Sequence, residues 1–182
     1  MQALIIIDAQ NEFSPNGKRP VPGHSAAIEV IRQRVEQARA KNSPIVWIRH
    51  FNKPTESPAF APGTWGSEFV AGFGPKPGAA NEVEFQKDVY GAFTGTKIAS
   101  WLSSVNADEV LIVGFYTHGC VSTTAREAIM ADLKVSIDPN GTGACDMNHE
   151  ILGFQTADEV RRSALLQLAN MGVFISPLPA TL

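Results

Sequence analysis

Residues 109–125 read EVLIVGFYTHGCVSTTA. The run from Val110 to Val113, closing on Gly114, is apolar without alternation, the pattern of a parallel strand buried on both faces. A short polar turn follows, then Cys120, then Val121, Ala125 and Ile129 at helical spacing. Strand, turn and helix in that order put Cys120 at or near a helix N-terminus. There the unpaired backbone N–H groups and the positive end of the helix dipole favour a thiolate over a thiol. The thiolate is the nucleophilic form, so this stretch reads as a place for chemistry. A lone cysteine also has the plain reading of a small apolar core residue.

Two more positions join it. The apolar run 4–7 ends on Asp8, in IIIDAQNEF, and the run 83–86 ends on Lys87, in FQKDVYGAF. An acid, a lysine and a cysteine thus each stand at the carboxyl end of a predicted strand, the edge of an open parallel sheet where ligand crevices form. Taken singly, Asp8 also fits a turn residue after its strand, and Lys87 a surface lysine.

Three blocks, IIIDAQNEF at 5–13, KDVYGAFTGT at 87–96 and VLIVGFYTHGCVSTTAREA at 110–128, resemble the isochorismatase-like cysteine hydrolases. That family includes nicotinamidases, N-carbamoylsarcosine amidase and isochorismatase. The resemblance spans most of the chain and implies a catalytic triad of Asp8, Lys87 and Cys120. It also implies an oxyanion hole made by the backbone N–H groups of Tyr116 and Cys120, with a cis peptide between Phe115 and Tyr116.

The composition fits a single small domain. The chain has 182 residues, a formal net charge of −3 and two cysteines. It is long enough for one α/β domain with a sizeable core, read here as residues 1–182. No basic stripe points to nucleic acid or an anionic membrane surface, and no apolar segment reaches membrane-span length. Two cysteines are too few for a disulfide framework, and no signal-peptide pattern opens the sequence, so the expected location is cytoplasmic. Homo-oligomers are common among the resembled proteins, and a homo-oligomer is expected on that ground.

Along the chain, strands are expected at 4–7, 45–48, 83–86, 110–113, 135–137 and 173–175. Helices are expected at 25–41 with Ser25 as N-cap, at 96–104, at 120–133, and from a capping box at Thr156 and Glu159 to about residue 170. Residues 139–146 read as a loop. Residues 51–80 carry Pro54, Pro58, Pro62, Pro75 and Pro77 and five glycines, too many for a long regular element. Trp65, Phe69 and Phe73 in that stretch either lid a pocket or pin the loop to the core. The alternation of strands and helices predicts a doubly wound parallel sheet with helices on both faces. The resemblance implies a three-layer α-β-α fold with six strands in the order 3-2-1-4-5-6.

The chemistry to expect is hydrolysis of an amide or carbamoyl C–N bond in a small molecule, through a thioester on Cys120. Substrate contacts expected from position are Phe13, His50, Phe93, Tyr116 and His118, with Trp65 and Asn140 as further guesses. Cys145 reads as structural or incidental. Nicotinamidases of the resembled family carry a metal on an Asp-x-His pair after the second strand. The matching stretch here, IRHFNKP, has His50 but no aspartate, so no metal and no other cofactor is expected, and nicotinamidase activity is disfavoured. Three alternatives stand beside the amidase reading. One is isochorismatase-type cleavage of a vinyl ether, for which Arg49 is the obvious further cation. The others are a non-catalytic small-molecule-binding or scaffold protein, and a redox thiol with Cys145 as its partner.

Overall fold

The computed structural model describes residues 1–178. Its centre is β1 (Gln2–Ile7), a strand paired in parallel with β2 (Ile45–His50) on one side and β4 (Glu109–Phe115) on the other. Because side chains alternate along a strand, Leu4 and Ile6 enter one core while Ala3, Ile5 and Ile7 enter the other. That is why the run needs apolar residues at every position. Beyond β2 lies β3 (Glu82–Lys87); beyond β4 lie β5 (Lys134–Gly143) and a final short strand, residues 174–175. The six-stranded order is therefore the 3-2-1-4-5-6 that the family resemblance implies, and its winding reverses between β1 and β4.

One face of the sheet is covered by α1 (His24–Ala40), whose Ile28, Ile31, Val35 and Ala38 form the buried stripe. The opposite core takes Ile98 and Leu102 of α2 (Ile98–Ser104), Ala125 and Ala128 of α3 (Ser122–Met130), and Leu165 and Leu168 of a last helix. That helix, residues 157–170, opens with the expected capping box between Thr156 and Glu159. α1 starts one residue earlier than expected. Gly23, in a left-handed conformation (φ 73°), is its N-cap, and Ser25 lies inside the helix.

Two departures come from the region after β4. The stretch expected as a loop from residue 139 continues β5 to Gly143. A bulge absorbs the Pro-Asn-Gly segment: Ile112 pairs with Ile137, then Gly114 with Thr142. The other is a hairpin missed in the sequence, β6 (Met147–His149) with β7 (Gly153–Gln155), standing off the main sheet. With it counted, the 157–170 helix is α4 and the 174–175 strand is β8. Within the 51–80 stretch a short helical turn lies at Trp65–Ser67.

At the reversal point β1 and β4 approach closely. A Cβ on Gly114 (φ 124°) would lie 1.9 Å from the Ile7 carbonyl oxygen, so only glycine fits there. Past it the Phe115–Tyr116 peptide bond is cis. The chain then makes a widened turn, Thr117–Val121, in which Gly119 leaves helical geometry, before α3 begins. No helix among the described residues is long and apolar enough to cross a membrane.

Candidate active site

Three strand ends meet at the reversal point. Asp8 follows β1 directly, in a left-handed conformation (φ 50°) that aspartate tolerates, with its N–H donating to the Ile48 carbonyl. Lys87 ends β3, the edge strand, and reaches across the end of β2, where His50 is its register partner. Cys120 sits in the widened turn after β4. The Lys87 ammonium gathers them: Nζ donates to Asp8 Oδ2 at 2.8 Å, to His50 Nδ1 at 3.1 Å and to Cys120 Sγ at 3.2 Å. The Lys87 and Asp8 side chains have almost no solvent exposure, so each charge depends on the other for compensation. The second carboxylate oxygen of Asp8, Oδ1, is buried and has no hydrogen-bond partner among the described residues.

Asp8 and Cys120 form the floor of a cavity of about 320 Å³. Its walls are largely aromatic, from Phe13, Phe60, Tyr90 and Tyr116, with His50, Asn52 and Ser57 as neutral polar groups and Arg19, Glu56 and Asp88 as charged ones. Phe13 is the hub of the aromatic wall, with ring centroids 5.1 Å from Phe60, 5.3 Å from Phe115 and 4.8 Å from Tyr116.

Comparisons with known proteins show the family to which this fold belongs. The isochorismatase domain family matches residues 2–167. The chain belongs to the isochorismatase family of hydrolases. It is 32% identical to a secreted isochorismatase effector of Verticillium dahliae, over 95% of this chain and 86% of that protein. It is 31% identical to a nicotinamidase/pyrazinamidase of Mycobacterium tuberculosis, over 75% of this chain and 83% of the relative. Among solved structures, an isochorismatase from Pseudomonas putida superimposes with a TM-score of 0.88 at 26% identity, covering 97% of this chain and 87% of the other.

Within this family member, the cysteine does not rest as expected from the sequence. Burial, followed by the negative charge of Asp8, pushes the Cys120 thiol up to about 12, against the opposing pull of Lys87. Cys120 lies in the turn ahead of α3 rather than on its first residue, and it is buried beside a carboxylate. The resting group is a thiol. Burial alone would lower the Lys87 pKa, but Asp8 and then Cys120 outweigh it and hold the ammonium charged.

Asp8, His50 and Cys120 are also the one group among the described residues with donor atoms close enough to share a metal, all within 4.8 Å of one another. A cation already sits among them, the Lys87 ammonium. The other ring nitrogen of His50 is taken by Asn52 Oδ1 at 2.8 Å. This donor set does not fit a divalent ion while Lys87 is in place.

Of the residues expected to touch substrate, Phe13, His50 and Tyr116 line the cavity, and Phe93 and His118 do not. Phe93 packs against the core that holds α2, and His118 stacks on Tyr116, with ring centroids 5.0 Å apart. Trp65 is exposed, and Asn140 lines a separate depression against α4. Phe69 and Phe73 pin the 51–80 stretch to the core, each with its ring centroid 5.7 Å from that of Trp47, so the lid reading fails for them. Arg49 is held by Glu68 and Glu84, and the cation on the cavity wall is Arg19. Cys145 is a half-buried free thiol beside the Tyr116 hydroxyl, and it is absent from the cavity wall.

The sequence reading missed Arg19, Asn52, Ser57, Phe60, Asp88, Val89 and Tyr90. Only Asn52, Asp88, Val89 and Tyr90 carried a signal, since they lie just past a strand end.

Proposed function

We propose that this chain is a metal-independent cysteine hydrolase that cleaves the C–N bond of a small amide or carbamoyl compound through a thioester on Cys120. The observation that carries the reading is the Lys87 ammonium bridging Asp8 and Cys120 at the floor of the cavity, with Asp8 Oδ1 left unpaired.

In this scheme the substrate carbonyl carbon lies against Sγ. As the S–C bond forms, the thiol proton passes to the free oxygen of Asp8, so no free thiolate accumulates beforehand. Lys87 stays protonated and stabilises both the carboxylate and the sulfur as charge moves between them. The carbonyl oxygen becomes an oxyanion facing the backbone N–H groups of Tyr116 and Cys120. A well-placed donor of this kind is worth about 3–4 kcal/mol in the barrier.

Collapse of the intermediate breaks the C–N bond, and Asp8 returns its proton to the leaving nitrogen. Water then attacks the thioester carbonyl and gives a proton to Asp8. The C–S bond breaks, the acid product leaves, and the proton on Asp8 restores the thiol. The aromatic walls suit a compact, partly apolar substrate, and the names of the amide-cleaving relatives support the C–N bond as target.

The test is ammonia release from a panel of small primary amides and carbamoyl compounds, with acid-quenched samples weighed by peptide mass. The reading expects at least one substrate to leave an acyl group on the Cys120 peptide, and Cys120→Ala to abolish both signals. Turnover that survives Cys120→Ala would refute it.

A further inference from the structure

Lys87 donates three hydrogen bonds, and the reaction proposed above uses two of them. The third goes to His50, which the sequence offers only as a substrate contact. We propose that His50 is a positioning residue: as a neutral imidazole it holds the Lys87 ammonium between Asp8 and Cys120, and its protonation switches the site off. The inference rests on the hydrolase reading of the same site.

The hydrogen bonds settle which nitrogen does what. An ammonium has only donors, so His50 Nδ1, 3.1 Å from Lys87 Nζ, must be the acceptor. The ring proton is then on Nε2 and is donated to Asn52 Oδ1 at 2.8 Å. Asn52 is itself oriented, because its Nδ2 donates to the Ser57 carbonyl at 3.1 Å.

The backbone of His50 is fixed with equal care by Gln10, which is fully buried. Gln10 Oε1 accepts from the His50 N–H at 2.8 Å, and its Nε2 donates to the His50 carbonyl at 2.9 Å and to the Ser67 carbonyl at 2.8 Å. Phe60 meets the imidazole edge-on at 5.3 Å. A ring held at both nitrogens and at both backbone groups serves better as a fixed post than as an adaptable substrate contact.

The charges around the ring decide its protonation. Lys87 faces it from β3, Asp8 from the end of β1, Cys120 from the turn after β4 and Glu56 from the stretch after β2, with Arg19 and Asp88 farther along the same cavity wall. Burial and then Lys87 lower the His50 pKa below its ordinary 6.5, against the weaker upward pull of Asp8 and Glu56. Once protonated, the ring has no acceptor left and sets a second cation against the ammonium. Lys87 then loses the contact that aims it.

The experiment follows the rate at which iodoacetamide alkylates Cys120, by peptide mass, across pH in wild type, His50→Asn and His50→Leu. Asparagine leaves a polar acceptor close to the position of Nδ1 and does not titrate. Wild type is expected to lose rate on the acid side below pH 6.5. His50→Asn should stay within a few-fold of wild type at neutral pH, with its acid limb displaced downward. His50→Leu should lose about tenfold or more at every pH, as expected for removing an acceptor from a buried charge. A wild-type rate and acid limb in His50→Leu would overturn the proposal, and so would an unmoved limb in His50→Asn.

A second readout does not depend on the cysteine. Histidine ¹⁵N NMR should show the Nε2–H tautomer at neutral pH and an upward shift of the His50 pKa in Lys87→Met. The Nδ1–H tautomer would overturn the assignment even with a reactive Cys120. A Cys120 that never reacts in wild type would refute the hydrolase reading instead, while the NMR result still decides the role of His50.

Discussion

Two aspartates are fully buried in this sheet, Asp138 within a strand and Asp8 just past the end of one, and they are used in opposite ways. Asp138, in β5, is saturated. It accepts from Arg34 at 2.8 Å, from the Asn140 N–H at 3.0 Å and from the Leu178 N–H at 3.2 Å, and Arg34 also reaches the Ser176 carbonyl. Asp8, after β1, has one oxygen on Lys87 and the other with no partner, beside a thiol and a cavity. Residue type and burial are alike; what differs most for chemistry is the unspent acceptor. A saturated carboxylate ties chain segments together, and an unsaturated one is free to take a proton.

Exchanging each aspartate for asparagine should separate the two roles. Asp8→Asn removes the proton acceptor, and turnover should fall by about 10³-fold, the usual scale for a positioned acid–base group. Its stability cost should be modest, because without Asp8 the burial that opposes the Lys87 charge loses its main counterweight, and a lysine without its partner can shed its proton. An arginine cannot, so Asp138→Asn should cost about 3 kcal/mol of unfolding free energy, with turnover per folded molecule within a few-fold of wild type. Denaturant unfolding and steady-state rates on both variants check the contrast, and the reverse pattern would break it.

Alkaline unfolding sharpens the same comparison. Cys120 is raised from 9.0 to about 12, and Lys87 is raised above 10.5. Both groups therefore hold protons more tightly folded than unfolded. The stability they contribute is full below about pH 9 and falls as pH rises toward 12, because the unfolded chain gives up its protons first. Each group contributes a slope of up to about 1.4 kcal/mol per pH unit inside its window. Midpoints of urea unfolding between pH 8 and 11 should fall in wild type and fall less steeply in Cys120→Ala. The smallest effect belongs to a site remote from both aspartates: Thr156→Ala breaks the α4 capping box and should cost about 1 kcal/mol, leaving turnover unchanged.

Much of the fold was legible because its central strands are buried on both faces and so cannot hide a polar residue. The runs at β1, β2 and β4 announce themselves, and the residues that close them mark the sheet edge. β5 was legible only to Ile137, since a proline and two glycines read as a loop when a bulge in fact carries the strand past them. The β6–β7 hairpin gave no signal, because Ile151, Leu152 and Phe154 around its turn are exposed and obey no core pattern.

Asp8, Lys87 and Cys120 were readable for the same reason as the strands, each standing at or after a strand end. The cavity walls were not. Phe60, Ser57 and Arg19 arrive by the path of irregular chain, which local sequence does not encode, and the role of His50 depends on a lysine 37 residues away in sequence. The resting state of Cys120 was misread because its turn suggested a helix dipole, while burial and Asp8 dominate its surroundings.

The most direct test of the central claim uses the second thiol of the protein as an internal control. Iodoacetamide alkylation of Cys120 and of the half-buried Cys145 should be compared at pH 7 in one sample, in wild type and in Asp8→Asn. The account predicts that Cys120 reacts faster in wild type in spite of its deeper burial, and that Asp8→Asn removes that advantage while Cys145 is unaffected. Faster reaction at Cys145, or a Cys120 rate indifferent to Asp8, would contradict it.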